Sequence, residues 1–176
     1  MIDVIALSGE VASGKSSLAE ALAEQLPRWE RINTGARFRE FCRERGMSIQ
    51  EVATVDDAVH RAFDRDQQEL MRSGGQIIIE GRLAGWLAQD LENVFRVFCS
   101  AGLETRIERY MQRHKVTAEQ ARIDIEHRDT GDINKFRHIY HVADYRDANY
   151  YDLLLDTSQL SPPELAQVVV SAARLS

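Results

Sequence analysis

The chain has 176 residues, 44% of them hydrophobic and 28% charged, with a formal net charge of −6. That length supports one core with room for a small inserted subdomain but hardly two full domains, and the acidic balance argues against a non-specific nucleic-acid binder. No apolar run reaches the length of a membrane span, no charged-then-apolar leader precedes Ile2, and Cys42 and Cys99 have neither disulfide-framework nor metal-site spacing. A cytoplasmic protein with free thiols and no membrane or nucleic-acid partner is expected.

The first element is a short apolar segment, residues 2–7, which reads as a buried parallel strand. It runs into Gly9-Glu10-Val11-Ala12-Ser13-Gly14-Lys15-Ser16, followed by Ser17 and a leucine-spaced helix through Leu26 that Pro27 stops. The octapeptide fits G-x-x-x-x-G-K-[ST], and strand, loop, helix is the order such a loop requires. Glycines let successive backbone N–H groups face one anion, and the helix N-terminus adds its dipole. Lys15 places a mobile point charge between the outer phosphates, and the Ser16 hydroxyl is positioned to ligate the Mg²⁺ that travels with the nucleotide. Residues Gly9 through Ser17 are therefore expected to bind the phosphates of ATP. Lys15 is one of only three lysines, against nineteen arginines.

Further along, strands are expected at 29–32, 76–80, 94–99 and 151–156, with helices between them and a last helix from Pro162 through Val170. Five strands interleaved with helices predict an α/β fold with a parallel sheet covered on both faces, joined by right-handed crossovers. Ligands in such sheets sit beyond the carboxyl ends of the strands. Two intervals, 35–73 and 102–150, exceed a simple crossover and predict helical excursions from the core. Excursions able to close over the site would exclude water, which a phosphoryl transferase needs in order not to hydrolyse its donor. Arginines cluster at Arg37, Arg39, Arg43 and Arg45, and on one helical face at Arg106, Arg109 and Arg113. Local clusters in an acidic chain suit small anionic ligands, because guanidinium grips phosphate bidentately; most of the nineteen are nonetheless expected to serve ordinary ion pairs.

Four further stretches carry a resemblance. The run from Asn33 to Glu40 is similar to the monophosphate-binding segment of cytidylate kinases, and Glu80-Gly81-Arg82-Leu83-Ala84-Gly85-Trp86 resembles the corresponding segment of their short, archaeal-type branch. Residues 43–48 and 135–140 also look like that family, and the resemblance continues through Asp156-Thr157-Ser158. It implies a P-loop NTP hydrolase-like fold, a nucleoside-monophosphate-binding insertion at about 35–73 and a lid at about 115–150, within one kinase domain spanning 1–176. It also implies transfer of the ATP γ-phosphoryl group to CMP or dCMP, with Mg²⁺, by a monomer acting on small-molecule nucleotides.

The resemblance assigns Arg82 and Arg39 to the acceptor phosphate, Thr34 and Arg37 to its pocket, and Arg128, Lys135 and Arg137 to the lid. Lys135 stands where a family member more often carries arginine. Cytosine's exocyclic amine wants an acceptor, and Asp64 is preferred among Arg61, Asp64, Arg65 and Asp66. Leu83 replaces the aspartate of the Gly-Arg-Asp found in the familiar bacterial form.

A phosphate acceptor, its second pKa near ~6, is already anionic and needs no general base. After the second strand this chain offers Asn33, where hydroxyl kinases usually keep a carboxylate. A hydroxyl kinase using Glu10 or Glu80 as base is the alternative, and a nucleotide switch a weaker one, since Asn134-Lys135-Phe136 is followed by Arg137 and not by aspartate. Glu10, inside the phosphate loop, needs a cation, arginine or proton to offset it; it either points to solvent or organises Mg²⁺ waters. His138 and His141 have no third ligand and read as surface residues.

Overall fold

Every residue of the first strand, β1 (Val4–Gly9), is buried, which requires a strand covered on both faces. The computed structural model describes residues 1–46 and 56–175. Met47 and Ser48, part of one family-like stretch, and the rest of residues 47–55 in the first excursion lie outside the described residues.

Strands β2 (Glu30–Asn33), β3 (Ile77–Glu80), β4 (Val94–Ser100) and β5 (Leu153–Asp156) join β1 in one parallel sheet of order β2-β3-β1-β4-β5. The central β1 is flanked by strands that enter from opposite directions of winding, and the crevice beyond its carboxyl end is where such sheets bind ligands. Side-chain alternation sorts the core into two layers. Val4, Ala6, Ile77 and Ile79 face one side with Met71, Phe136 and Tyr145. Ile5, Leu7, Ile78 and Val97 face the other. There they meet Leu18 and Leu22 of α1 (Lys15–Gln25) and Leu165 and Val169 of α7 (Pro162–Ala172).

The first excursion consists, in its described part, of α2 (Thr34–Glu44) and α3 (Asp57–Ser73), held together by Phe41, Cys42 and Phe63. Asn33 caps α2 by accepting the Ala36 N–H at 2.8 Å, satisfying one of the orphan donors of the first turn. After β3 comes one short turn, α4 (Ala84–Leu87). The second excursion pairs α5 (Leu103–His114) with the long α6 (Ala118–Tyr140). Ile107, Tyr110, Ala121 and Ile125 pack there with Val11 of the phosphate loop, so this helix pair is seated directly on the loop.

Element boundaries differ from the expected ones by one or two residues in most cases. Helix α1 starts at Lys15, not Ser17, because the last residues of the phosphate loop already form its first turn. Strand β5 begins at Leu153. Tyr151 is diverted to a packing role: its hydroxyl donates to the Tyr145 carbonyl at 2.6 Å.

The Tyr151 ring also fixes Gly85, where a Cβ would lie 2.5 Å from the ring. Replacing glycine by alanine in a helix normally gains about 0.5–1 kcal/mol, but overpacking a tight contact costs about 1–3 kcal/mol. Gly85→Ala is therefore expected to lower stability by about 1–2 kcal/mol and to reduce Tm. Urea unfolding that finds an equal or more stable variant would show that Tyr151 yields freely.

Candidate active site

The phosphate loop takes its shape from backbone that few residues tolerate. Gly9 has φ 149°, and a Cβ there would stand 2.2 Å from the Cys99 carbonyl oxygen on β4. Gly14, the N-cap of α1, has φ 85°. Lys15 Nζ curls back over the loop, donating to the carbonyls of Gly9 at 2.8 Å and Glu10 at 2.6 Å and to Ser13 Oγ at 3.3 Å. Burial, and then the nearby Arg82 guanidinium, push its ammonium down to about 7, while Cys99, Glu80 and Asp129 pull the other way. A phosphate set among these cations would oppose both lowering causes and favour the charged lysine.

At the carboxyl end of β3, Glu80 is buried, and its Oε2 accepts from Ser16 Oγ at 2.7 Å. Its other oxygen accepts from Arg31 Nη2 at 2.8 Å and Nε at 3.2 Å. Arg82, two residues further on, pairs not with Glu80 but with a neighbouring carboxylate.

That neighbour is Asp129, a buried residue of α6. Its Oδ1 accepts the Val11 N–H at 3.0 Å and Arg82 at 3.2 Å, and its Oδ2 accepts from Arg106. Asp132, one turn further along α6, contacts Arg82 at 3.1 Å. Burial works against the charge on Arg82, but Asp132, Tyr145 and Asp129 together outweigh it and raise the guanidinium pKa above its ordinary value. Arg106, only 5% exposed, also donates to the Val11 carbonyl at 2.8 Å and meets Glu10 Oε2 at 3.2 Å. Arg146 contacts the other oxygen of Glu10 at 3.2 Å. The loop carboxylate is thus offset by two arginines and does not point freely to solvent.

Beyond the loop, one cleft gathers Lys15, Ser16, Thr34, Arg39, Arg82 and Arg128, with Arg113 and His114 of α5 added. It continues into a pocket of about 150 Å³ between α3, α4 and α6, lined by Thr34, Phe38, His60, Asp64, Gln67 and Lys135 among others. A cavity of roughly that volume accommodates one six-membered ring. Tyr140 donates its hydroxyl to Asp64. Burial pushes the Asp64 carboxyl up to about 6, against the lowering effects of Tyr140 and Lys135. Arg61, Arg65 and Asp66 are exposed.

A further cleft opens on the other side of the loop, lined by Ala12, Arg109, Gln112, Thr157, Leu160 and Pro162 among others. Arg109 anchors one wall, donating to Thr157 Oγ1 at 2.8 Å and to its carbonyl at 2.6 Å.

Not every candidate converges. Arg37 lies in a groove with Glu40, Arg45 and Asp66 on the other side of α2. Arg137 is exposed and donates to the Ala143 carbonyl at 3.0 Å. Lys135 sits beside the ring-sized pocket, 3.5 Å from Asp132. Among the described residues there is no group of three potential metal ligands, and His138 pairs with Asp57 at 2.9 Å.

Sequence reading missed Asp129, Gln67 and Tyr140, and Glu80 as the partner of Ser16; Arg106 was placed in an arginine cluster without its pairing to Asp129 and Glu10. The i, i+3 spacing of Asp129 and Asp132 was a usable signal, because it puts two carboxylates on one helical face. Nothing local singles out Gln67.

Comparison with known proteins places this geometry. Residues 4–159 match the model of the Cytidylate kinase-like family. The cytidylate kinase of Natronomonas pharaonis is 36% identical over 172 residues, covering 96% of this chain and 88% of its own length. That of Methanocella arvoryzae is 31% identical, covering 96% and 95%. Among solved structures, an uncharacterized protein of Eubacterium ventriosum superposes with a TM-score of 0.77 at 16% identity, covering 100% of both chains. Shikimate kinase of Acinetobacter baumannii does so with a TM-score of 0.62 at 18% identity, covering 100% of this chain and 97% of its own. The structural likenesses establish the fold alone: a parallel-sheet P-loop kinase scaffold.

The Asp129 cluster makes a stability prediction. Removing its carboxylate leaves the Val11 N–H unpaired and Arg106 with Glu10 alone. Breaking a buried ion pair costs about 3–5 kcal/mol, and the surviving Glu10 contact favours the lower end. Asp129→Ala is expected to lose about 3 kcal/mol in denaturant unfolding; a loss below about 1 kcal/mol would mean that the cluster contributes little to the fold.

Proposed function

The chain belongs to the cytidylate kinase-like family, and on that premise we propose that it transfers the γ-phosphoryl group of ATP to CMP or dCMP, giving ADP and CDP or dCDP. The observation that carries this reading is the continuity of the phosphate loop with an arginine-lined cleft ending in a pocket for one ring. Donor phosphates would lie on the loop amides and Lys15, with the donor base in the cleft beside Arg109 and Thr157. The acceptor phosphate would be held by Arg82, Arg39 and Thr34, and its base would enter the Asp64 pocket. Arg128, with Arg113, would close on the migrating group.

The acceptor dianion attacks directly, so the site has to supply positioning and positive charge, with no general base. Glu80 is unsuited to be one, since both its oxygens are engaged. Arg82 is held by Asp129 and Asp132. An acceptor phosphate would draw some of its donors away, which ties acceptor arrival to the position of α6. Lys135 is reassigned from the lid set to the base pocket, and Arg37 and Arg137 have no part in this scheme.

The paired Ser16 hydroxyl and Glu80 carboxylate are hard oxygen donors suited to Mg²⁺, which keeps waters and substrate phosphates as its other ligands. Bound there, Mg²⁺ would neutralise charge on the donor phosphates. On this reading the chain is one kinase unit, 1–176, with its acceptor-binding insertion at 35–73 and its lid at 115–150. It would act as a cytoplasmic monomer on small molecules. No helix among the described residues is long and apolar enough to cross a membrane.

The test is ADP release from MgATP with CMP, dCMP, UMP, AMP or GMP supplied singly. Strong turnover selective for CMP or dCMP is expected. Turnover with AMP instead would reassign the base pocket, and silence with all five would end the monophosphate reading in favour of a hydroxyl acceptor.

The Asp64 carboxyl gives a second expectation. With its pKa near 6 in the free protein, it is charged, and accepts from the cytosine amine, only above that value. As pH falls from 7.5 to 5.5, the ratio of kcat/KM for CMP to that for UMP should fall severalfold. Titration of the acceptor phosphate, near ~6 as well, cancels in the ratio because both substrates share it. A flat ratio would remove Asp64 from base selection.

A further inference from the structure

Among the described residues, buried side-chain polar atoms without a hydrogen-bond partner belong to two residues, Tyr145 at its hydroxyl and Gln67 at both amide atoms. Gln67 is 1% exposed. It lies on α3 one turn after Phe63 and one turn before Met71, and all three are buried. His60 and Asp64 share that helical face, and the five residues together line the ring-sized pocket. Packing alone would favour methionine or leucine at such a position. A buried amide with neither donor nor acceptor satisfied opposes folding, and native proteins rarely keep one without a use for it.

Resting on the acceptor reading above, we propose that Gln67 reads the pairing edge of the acceptor base. Its Nε2–H donates to cytosine N3 while its Oε1 accepts one hydrogen of the N4 amine. Asp64, on the same face, accepts the other. An amide can turn over: for uracil, Oε1 would accept the N3–H and Nε2 would donate to O4. Gln67 therefore strengthens binding of either pyrimidine without choosing between them. The choice falls on Asp64, whose carboxylate accepts from an amine and repels a carbonyl oxygen. Phe38 and Phe63 wall the same pocket edge to face, with centroids 5.0 Å apart and an interplanar angle of 70°, so apolar contact with the ring comes from them and direction from Gln67.

The experiment measures kcat/KM for CMP and UMP, KM for ATP, and Tm, in the wild type and in Gln67→Met and Gln67→Glu. Gln67→Met should lose about tenfold or more with CMP and UMP alike, the scale of one or two hydrogen bonds. The ratio between the two substrates and the KM for ATP should stay near wild type, and Tm should be equal or higher, because an unpaired buried amide has been removed. Gln67→Glu cannot donate to cytosine N3 but still accepts the uracil N3–H, so its preference should move toward UMP. An unchanged acceptor KM in Gln67→Met overturns the inference, and so does a lower Tm with parallel losses for ATP and CMP, the mark of a purely structural amide. If the wild type phosphorylates no monophosphate, the acceptor reading and this inference fall together. If it phosphorylates CMP and Gln67→Met does so with the same KM, this inference alone fails.

Discussion

A site built to hold phosphates concentrates like charges, and those charges must be kept in place before any phosphate arrives. Lys15, Arg82 and Arg128 converge on one cleft, with Arg106 buried just behind the loop. For two of them the repulsion is offset by carboxylates, Asp129 and Asp132 on Arg82 and Glu10 and Asp129 on Arg106. Asp129 is the central one: a single side chain of α6 takes a loop amide, Arg82 and the buried Arg106. Remove it, and three parts of the protein lose their common tether. The other cations are held differently: Lys15 is tied to the Gly9 and Glu10 carbonyls and the Ser13 hydroxyl, and no carboxylate contacts it directly.

Glu10 and Glu80 extend the same logic into the loop. A glutamate beside bound triphosphate looks unfavourable in isolation, yet Glu10 serves as the counter-charge for Arg106 and Arg146. Glu80 holds the Ser16 hydroxyl from the carboxyl end of β3 and is itself steadied by Arg31. In both cases burial strengthens each contact and makes an unpaired charge costly, so the networks are closed. The acceptor pocket departs from that pattern. Gln67 is left unsatisfied inside a largely apolar wall, and local stability is given up at the place where a ligand would supply the missing partners.

The long α6 helix links these regions. Its middle carries Asp129 and Asp132 onto Arg82, and its far end carries Tyr140 onto Asp64. Its partner α5 packs against the loop through the Val11 cluster. A shift of this one helix would therefore be felt by the donor loop, the acceptor arginine and the base pocket together. Such coupling suits a two-substrate transferase that must assemble only when both sites are filled.

Motifs whose chemistry is local were legible in the amino-acid order. The phosphate loop, with its strand before and helix after, could be recognised because the loop closes on itself through backbone that its own glycines permit. The five strands were legible too: β1 and β3 are buried throughout, and the edge strands β2 and β5 still bury one apolar residue each; the ends were off by a residue or two where loop residues completed a helical turn or an aromatic was diverted. Arg82, Arg39, Arg128 and Thr34 were named through resemblance to a family and Asp64 through the chemistry of the cytosine amine, and the fold brings all five to one cleft and its adjoining pocket. What the order of residues could not disclose was which charges would meet. Asp129 and Val11 are separated by 118 positions and Ser16 and Glu80 by 64, and no short-range pattern encodes such pairings. The same limit hid Gln67, whose meaning lies wholly in the absence of a partner. Sequence alone determined the phosphate-binding loop and the class of sheet behind it, because those follow from local backbone chemistry and apolar periodicity. Only the tertiary structure decided how the cations are held and which polar groups are left open to a base, because burial and long-range packing decide which partners each group can reach.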